Sequence, residues 1–380
     1  MNDIVYFDNA ATSYPKPEGV YYEAYKCMRE YCGNPGRGSN KMAIASSKVL
    51  FDCRAALKDF FNAPSEENVI FTYNATYALN IAIKCFIPKK SKVLISDIEH
   101  NAVYRPIVAQ SLKGEIYYDI FPTYNGEPDR IIYELKKRTT CNVKAIVCTA
   151  ASNICNIHLP IEEIGEFAKE RGLLFILDAS QLAGHKRIDM KKNGISVLCT
   201  PFHKGMYGPQ GGGFMIVGED IKGKSTLIEG GSGYNSKELT MPKNLPERFE
   251  AGTVSTPAVA GLLAAVKYLT SAPPNAIERY ERQLSSEMKQ MLESHEDLSI
   301  HGDLCRGSVF SVTSRTYSTE KLGELLDEHG IMIRSGLHCA PLAHKKLGTL
   351  DTGTVRFSTG IFNSMADIER LDSVLSKICP

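Results

Sequence analysis

Leu173-Leu174-Phe175-Ile176-Leu177-Asp178-Ala179-Ser180-Gln181 decides how this chain folds. A strand that is apolar from Leu173 to Leu177 offers water no polar face, so both of its faces must be covered. A parallel sheet with helices packed on either side meets that demand. The run then closes on a carboxylate. A half-buried carboxylate needs a cationic partner or several hydrogen bonds. Ligands of open parallel sheets bind beyond the carboxyl ends of the strands, which makes Asp178 a candidate site residue. The protonated nitrogen of a pyridine ring would suit it, and so would a phosphate or magnesium site; both uses stay open at this point.

Outward from this run the pattern repeats. Strands are expected over 68–73, 92–96, 143–149, 197–199 and 214–217, and helices over 76–86 and 161–171. After Thr253 the pattern changes. A helix over 259–269 meets Pro273-Pro274, which break it, and a long amphipathic helix follows over 276–293. Short strands (308–312, 331–334, 355–358) then mix with helices (319–329, 365–378). The reading is a large α/β domain of residues 16–253 and a smaller α+β domain of 1–15 and 254–380, with the site between them.

Composition narrows the partners. The 380 residues carry 44 basic and 43 acidic side chains, a net charge of +1. Without a broad basic field, nucleic acid is not expected as a partner. Met1 to Asp8 has no basic stretch leading into an apolar one, and no run reaches about 18 apolar residues, so neither a signal peptide nor a membrane span is expected. The eleven cysteines show no Cys-x-x-Cys and no zinc-ligand spacing, so no metal is expected. Reduced thiols and a cytoplasmic, soluble protein are the expectation.

The other strand ends carry the remaining unusual residues. Asn74-Ala75-Thr76 opens a helix and is either a phosphate seat, with free N–H groups along the dipole, or a plain helix cap. Glu99-His100-Asn101 follows the next strand; His100 either stacks on a ring or is an ordinary loop residue. Ala151-Ser152-Asn153 and Asp178-Ala179-Ser180-Gln181 come next. The run Leu198-Cys199-Thr200-Pro201-Phe202 then ends in His203-Lys204, before the turn Gly208-Pro209-Gln210-Gly211-Gly212-Gly213. A lysine there either snorkels to water or serves as a Schiff-base amine, since desolvation lowers its pKa and frees the lone pair. Phosphate seat, stacking histidine, ring-nitrogen carboxylate and lysine together form the set that pyridoxal phosphate needs. A nicotinamide site would want G-x-G-x-x-G after the first strand, which is missing.

These motifs resemble the cysteine desulfurase branch of the class V aminotransferases, which are fold type I pyridoxal phosphate enzymes. The resemblance runs from Tyr6-Phe7-Asp8-Asn9-Ala10-Ala11-Thr12 through Asn34-Pro35-Gly36-Arg37-Gly38 and the strand ends above. It continues through Gly230-Gly231-Ser232-Gly233 and Phe249-Glu250-Ala251-Gly252-Thr253. It ends in Arg334-Ser335-Gly336-Leu337-His338-Cys339-Ala340-Pro341 and Gly353-Thr354-Val355-Arg356-Phe357-Ser358. It implies a mainly parallel seven-stranded sheet in the large α/β domain. By this resemblance Lys204 forms the covalent link to pyridoxal 5'-phosphate and moves protons, Asp178 holds the ring nitrogen protonated, and His100 stacks on the ring. Gln181 would bond the phenolic oxygen. Ala75, Thr76 and His203 would hold the phosphate, with Ser232 reaching in from the second subunit of a homodimer. Asn153 and Arg356 would grip the substrate carboxylate, with Arg334 and Asn34 also placed at the substrate.

Cys339 would be the nucleophile that takes sulfur from L-cysteine as a persulfide, leaving L-alanine. Arg334 and His338 lie close to it in sequence and would favour thiolate over thiol. The compact R-x-G-x-H-C loop resembles the group that passes sulfur to a dedicated acceptor protein. Three positions depart from the family: Cys155-Asn156 stands where Thr-Gly is frequent, Pro201-Phe202 precedes His-Lys, and Ser232 replaces threonine. The second of these removes a phosphate hydroxyl unless Thr200 substitutes. The alternatives are a selenocysteine lyase acting on L-selenocysteine, another class V aminotransferase-type enzyme such as a transaminase, or a non-catalytic relay protein.

Overall fold

The structure is a computed structural model that describes residues 4–36, 38–234, 236–302 and 307–379. Arg37 of the Asn34–Gly38 motif and Cys305 lie outside these residues. After β1 (Val5–Tyr6) come two helices that the residue pattern did not predict, α1 (Glu18–Glu30) and α2 (Lys41–Phe61). The Asn40 side chain caps α2 by accepting from the Ala43 N–H, and Leu50, Cys53, Leu57 and Phe61 form its buried stripe. Next are β2 (Val69–Thr72), α3 (Ala75–Ile81), β3 (Lys92–Ser96), α4 (Asn101–Leu112), β4 (Tyr117–Phe121), α5 (Pro128–Arg138) and β5 (Val143–Thr149). Then follow α6 (Ile161–Glu170), β6 (Leu174–Asp178), β7 (Val197–Pro201) and β8 (Gly213–Val217). The helix expected to reach residue 86 is α-helical only to Ile81 and then widens into a π turn over Ala82–Phe86.

These strands form one seven-stranded sheet in the order β2-β8-β7-β6-β5-β3-β4. The block from β4 to β7 is parallel, and β8 runs antiparallel to both of its neighbours, β7 and β2. The interior strands are buried throughout: every residue of β7 and β8 is, and β6 is buried from Phe175 to Asp178. One face of the sheet is covered by a core that includes Phe61, Phe175, Leu177 and Phe214, the other by a core that includes Leu79, Ile83, Val103 and Ile176. This is the two-sided covering that the apolar strands demand.

The C-terminal third supplies α7 (Thr256–Ser271), α8 (Ala276–Ser294), β9 (Leu298–His301), β10 (Val309–Ser314), α9 (Thr319–Glu328), β11 (Ile331–Met332), β12 (Arg334–Gly336), α10 (Pro341–Leu347), β13 (Thr354–Ser358) and α11 (Met365–Ile378). Val259, Leu262 and Val266 of α7 share the core of the large sheet. The strand expected over 331–334 is two strands. β11 pairs in parallel with β1, while β12 joins an antiparallel sheet ordered β12-β13-β10-β9. A separate core gathers Leu284, Met288, Phe310, Leu322, Val355, Phe357 and Leu371.

Candidate active site

One pocket lies at the carboxyl ends of the parallel strands. Ala75, Thr76, His100, Asn153, Asp178, Gln181, His203 and Lys204 line it, together with Asn74, Ala102, Thr149, Ala151, Ser180 and Pro201. Eight residues singled out from scattered sequence positions thus meet in one place. Thr200 stays inside β7 and is absent from this lining.

Local folding fixes each group. Asn74 caps α3, its side chain accepting from the Tyr77 N–H at 2.9 Å. The first N–H groups of a helix have no partner within it, so those of Ala75 and Thr76 are available to an anion. Strand β8 can pass beneath this peptide only because residue 213 is glycine: a Cβ there would lie 2.5 Å from the Asn74 carbonyl carbon. His100 caps α4 by accepting from the Ala102 N–H through Nδ1 at 3.0 Å, so a neutral ring carries its proton on Nε2. Burial, helped by the Lys204 charge, pushes its pKa down to about 4.

Asp178 is buried, and Oδ1 accepts from both the N–H and the hydroxyl of Ser180. Oδ2 has no protein donor among the described residues. Lys204 ends the next stretch, and burial pulls its amine down from 10.5 to about 8, against the opposing pull of Asp178. His203 is likewise held down, to about 4, mainly by burial, and its buried Nδ1 has no hydrogen-bond partner. An amine close to neutral pH, an unpaired carboxylate oxygen, an unpartnered imidazole nitrogen and free helix N–H groups suit a phosphorylated pyridine aldehyde.

The N-terminal arm clamps this arrangement. The Ser13 N–H and the Thr12 hydroxyl donate to the His203 carbonyl, and the Ser13 hydroxyl donates to that of Lys204. Gln181 Nε2 donates to the Ala10 carbonyl at 2.9 Å. Asp8 reaches the buried Arg356, a residue 1% exposed, at 2.6 Å, and Arg356 also donates to the Asn153 carbonyl at 3.2 Å. Arg334 stands directly opposite Arg356 in the β12–β13 register. Two like charges facing each other across a ladder repel unless an anion lies between them. Their field reaches the pocket, since both lower the pKa of Lys204.

Cys339 is exposed, on the short loop between β12 and α10. Its carbonyl accepts from the N–H of Asn101, the residue after His100, at 2.8 Å, and Asn153 Nδ2 donates to the His338 carbonyl at 2.9 Å. The loop is therefore tied by its backbone to two elements of the pocket. The expectation that His338 charges the cysteine's surroundings fails: its ring is buried, donates from Nε2 to the Arg334 carbonyl at 3.1 Å, and is driven down to about 3, mainly by burial and then by Arg356. It is neutral at neutral pH and turns inward.

Ser232 is not part of this protomer's pocket, and Asn34 is exposed and also outside its lining. Asn156 has φ 56, a left-handed conformation in which glycine is at ease and asparagine is tolerated. This accounts for asparagine where the family frequently has glycine. Sequence reasoning missed Asp8 as the partner of Arg356, Ser180 as the donor to Asp178, and Glu99. Glu99 is fully buried, accepts from Ser96 and from the Thr149 N–H, and is pushed by burial up to about 8, so it is protonated at neutral pH. For Ser180, a small polar residue two positions beyond a buried Asp was an available signal; for the other two, nothing local pointed to the partner.

The model of the aminotransferase class-V family matches residues 5–371. A protein of Pyrococcus abyssi named a probable cysteine desulfurase is 30% identical, over 99% of this chain and 94% of its own length. A cysteine desulfurase of Yersinia pseudotuberculosis is 29% identical, over 99% of this chain and 93% of its own. The solved apo structure of a cysteine desulfurase from Thermococcus onnurineus superposes with a TM-score of 0.90 at 27% identity, covering 100% of this chain and 95% of that one. Fold, pocket and comparisons agree that this chain belongs to the cysteine desulfurase family of class-V aminotransferases.

Proposed function

We propose that this protein is a cysteine desulfurase that uses pyridoxal 5'-phosphate to convert L-cysteine to L-alanine, with the sulfur retained as a persulfide on Cys339. The observation that carries the reading is the joining of two groups. Lys204 shares one pocket with Asp178 and His100, and the Cys339 backbone is hydrogen-bonded to the residue following His100. When bound, pyridoxal phosphate supplies an electron sink that makes the α-proton of an amino acid removable. Ala75, Thr76 and His203 would hold its phosphate, Asp178 would hold its ring nitrogen, Gln181 its phenolic oxygen, and His100 would pack against the ring. Arg356, with Asn153 and Arg334, orients the substrate carboxylate, because a planar fork matches it bidentately. Lys204 carries the proton at Cα. The Cys339 thiolate attacks the substrate sulfur, the sulfur–sulfur bond forms as the carbon–sulfur bond breaks, and alanine leaves after protonation.

The large unit, 16–253, supplies the cofactor pocket, and 1–15 with 254–380 supplies Cys339, with α7 packed on the former. A homodimer would bring Ser232 to the partner's phosphate seat. Exposed Tyr73, Ile228, Tyr234 and Leu239, on or near the segment carrying Ser232, support a protein-covered face there. An acceptor protein that collects the persulfide fits the exposure of Cys339. Among the described residues no helix is long and apolar enough to cross a membrane. The cytoplasm is the compartment proposed, on the free thiols of the described cysteines.

The test is alanine and sulfide release from L-cysteine under reductant. Wild type turns over. Cys339→Ser keeps the bound-cofactor colour without turnover, and Lys204→Ala loses that colour. Equal sulfide release from wild type and Cys339→Ser refutes the persulfide step. Turnover of L-selenocysteine that survives Cys339→Ser would move the assignment to a selenocysteine lyase.

A further inference from the structure

The loop that carries Cys339 is strained. His338 and Cys339 are consecutive non-glycine residues with φ of 50 and 58. Left-handed backbone costs each of them free energy, and such residues persist only where their surroundings over-determine them. The backbone contacts to Asn101 and Asn153 hold the loop from the pocket side. On its other side the His338 ring donates to the Arg334 carbonyl and meets a second ring. His344, in α10 and 0% exposed, stacks on His338 with centroids 5.9 Å apart and planes 14° apart. His344 is itself fixed: Nδ1 lies 2.8 Å from the Thr349 hydroxyl, and its carbonyl accepts from the Thr349 N–H at 3.0 Å. His338 Nδ1 is buried without a hydrogen-bond partner, and His344 Nε2 has none of good geometry although the Leu337 carbonyl bears on its ring. No hydrogen bond joins the two rings to each other, so what passes between them is the contact of their faces.

We infer that His344 is a positioning residue for Cys339, acting through the stacked ring of His338 to hold the nucleophile's left-handed backbone against the pocket. Both rings are kept neutral, which removes the repulsion that a doubly charged pair would suffer. For His338 the cause is burial and then Arg356; for His344 it is burial, opposed by the Leu337 carbonyl and reinforced by His301. Arg334 bears on His338 in the same sense. The proposal rests on Cys339 being the nucleophile and is tested so that the two ideas fail separately.

The variants are His344→Ala, which removes the ring, and His344→Phe, which keeps a stacking face without either nitrogen. Three quantities are read on the cofactor-loaded protein: alanine formation from L-cysteine, exchange of the α-proton of L-alanine with deuterated solvent, and amide hydrogen exchange by mass spectrometry over residues 98–104 and 334–345. The α-proton reaction needs Lys204 and the cofactor but not Cys339. Loss of the stack should lower kcat for alanine formation about tenfold in His344→Ala. KM and α-proton exchange should stay within about twofold. Amides of the Cys339 loop and of Asn101 should exchange faster in His344→Ala, and His344→Phe should restore both kcat and protection. The proposal is overturned by an unchanged kcat in His344→Ala, by α-proton exchange falling in step with kcat, or by His344→Phe behaving like His344→Ala. If wild type forms no alanine, Cys339 is not the nucleophile proposed. The amide exchange then still decides whether His344 braces the loop.

Discussion

Lys204 gives the sharpest quantitative prediction. Its amine lies near 8 instead of 10.5, because burial penalises the ammonium more than Asp178 favours it. At pH 7 about one amine in ten is then free, against about three in ten thousand for an ordinary lysine, a gain of about 300-fold in the species that attacks an aldehyde. The assay uses cofactor-free protein mixed with pyridoxal phosphate, with the visible absorbance followed by stopped flow as pH is varied. Dividing each rate by that of a simple primary amine under the same conditions removes the cofactor's own ionisations. The protein's pH dependence should rise through about 8 and then level off. Asp178→Asn should move that midpoint lower, since the carboxylate is the group that raises it. A rate that is still climbing above about pH 10, as for a solvated lysine, refutes the burial argument.

Arg356→Lys should lower kcat/KM for L-cysteine about 100-fold, mostly through KM, because a point charge cannot reach Asp8, the Asn153 carbonyl and a carboxylate together; steady-state alanine formation checks it. Glu99→Gln should leave the melting temperature near that of wild type in acid and above it in alkali. Wild-type Glu99 keeps its proton in the folded state up to about pH 8 but loses it near 4.5 when unfolded, so stability falls as pH rises across that window, and glutamine removes the slope. Melting curves between about pH 4 and 9 that run parallel for the two proteins would contradict this assignment.

Much of the fold was legible because the buried strands carry their own signal. Residues 174–177 and 93–95 are unbroken apolar runs with polar residues only at their ends, and no alternative element tolerates that pattern so well. The edge strand β4 was missed because Tyr117 is exposed and Asp119 pairs with Lys92, so no apolar run announces it. Helix α2 was missed although its stripe is regular; buried Ser46 and Arg54 interrupt the apolar face, and Arg54 finds its partners beyond the helix, in the Val69 carbonyl, the Phe71 ring and Glu250. The pocket was legible at the strand ends, where polar residues follow apolar runs directly. Its supports were not. Asp8 meets Arg356, and His344 meets His338, through packing that no local pattern encodes.

The arm from Asp8 to Ser13 has a consequence for how this molecule is made. Its residues emerge from the ribosome well before Arg356, the side chain that Asp8 neutralises and that lies 348 residues further along. His203 and Lys204 are synthesised in between, and until the arm comes to rest their carbonyls lack the hydroxyl donors that fix them. A growing polypeptide can therefore assemble its central sheet early and still have no competent centre. Catalytic maturity arrives only when these two distant segments find one another.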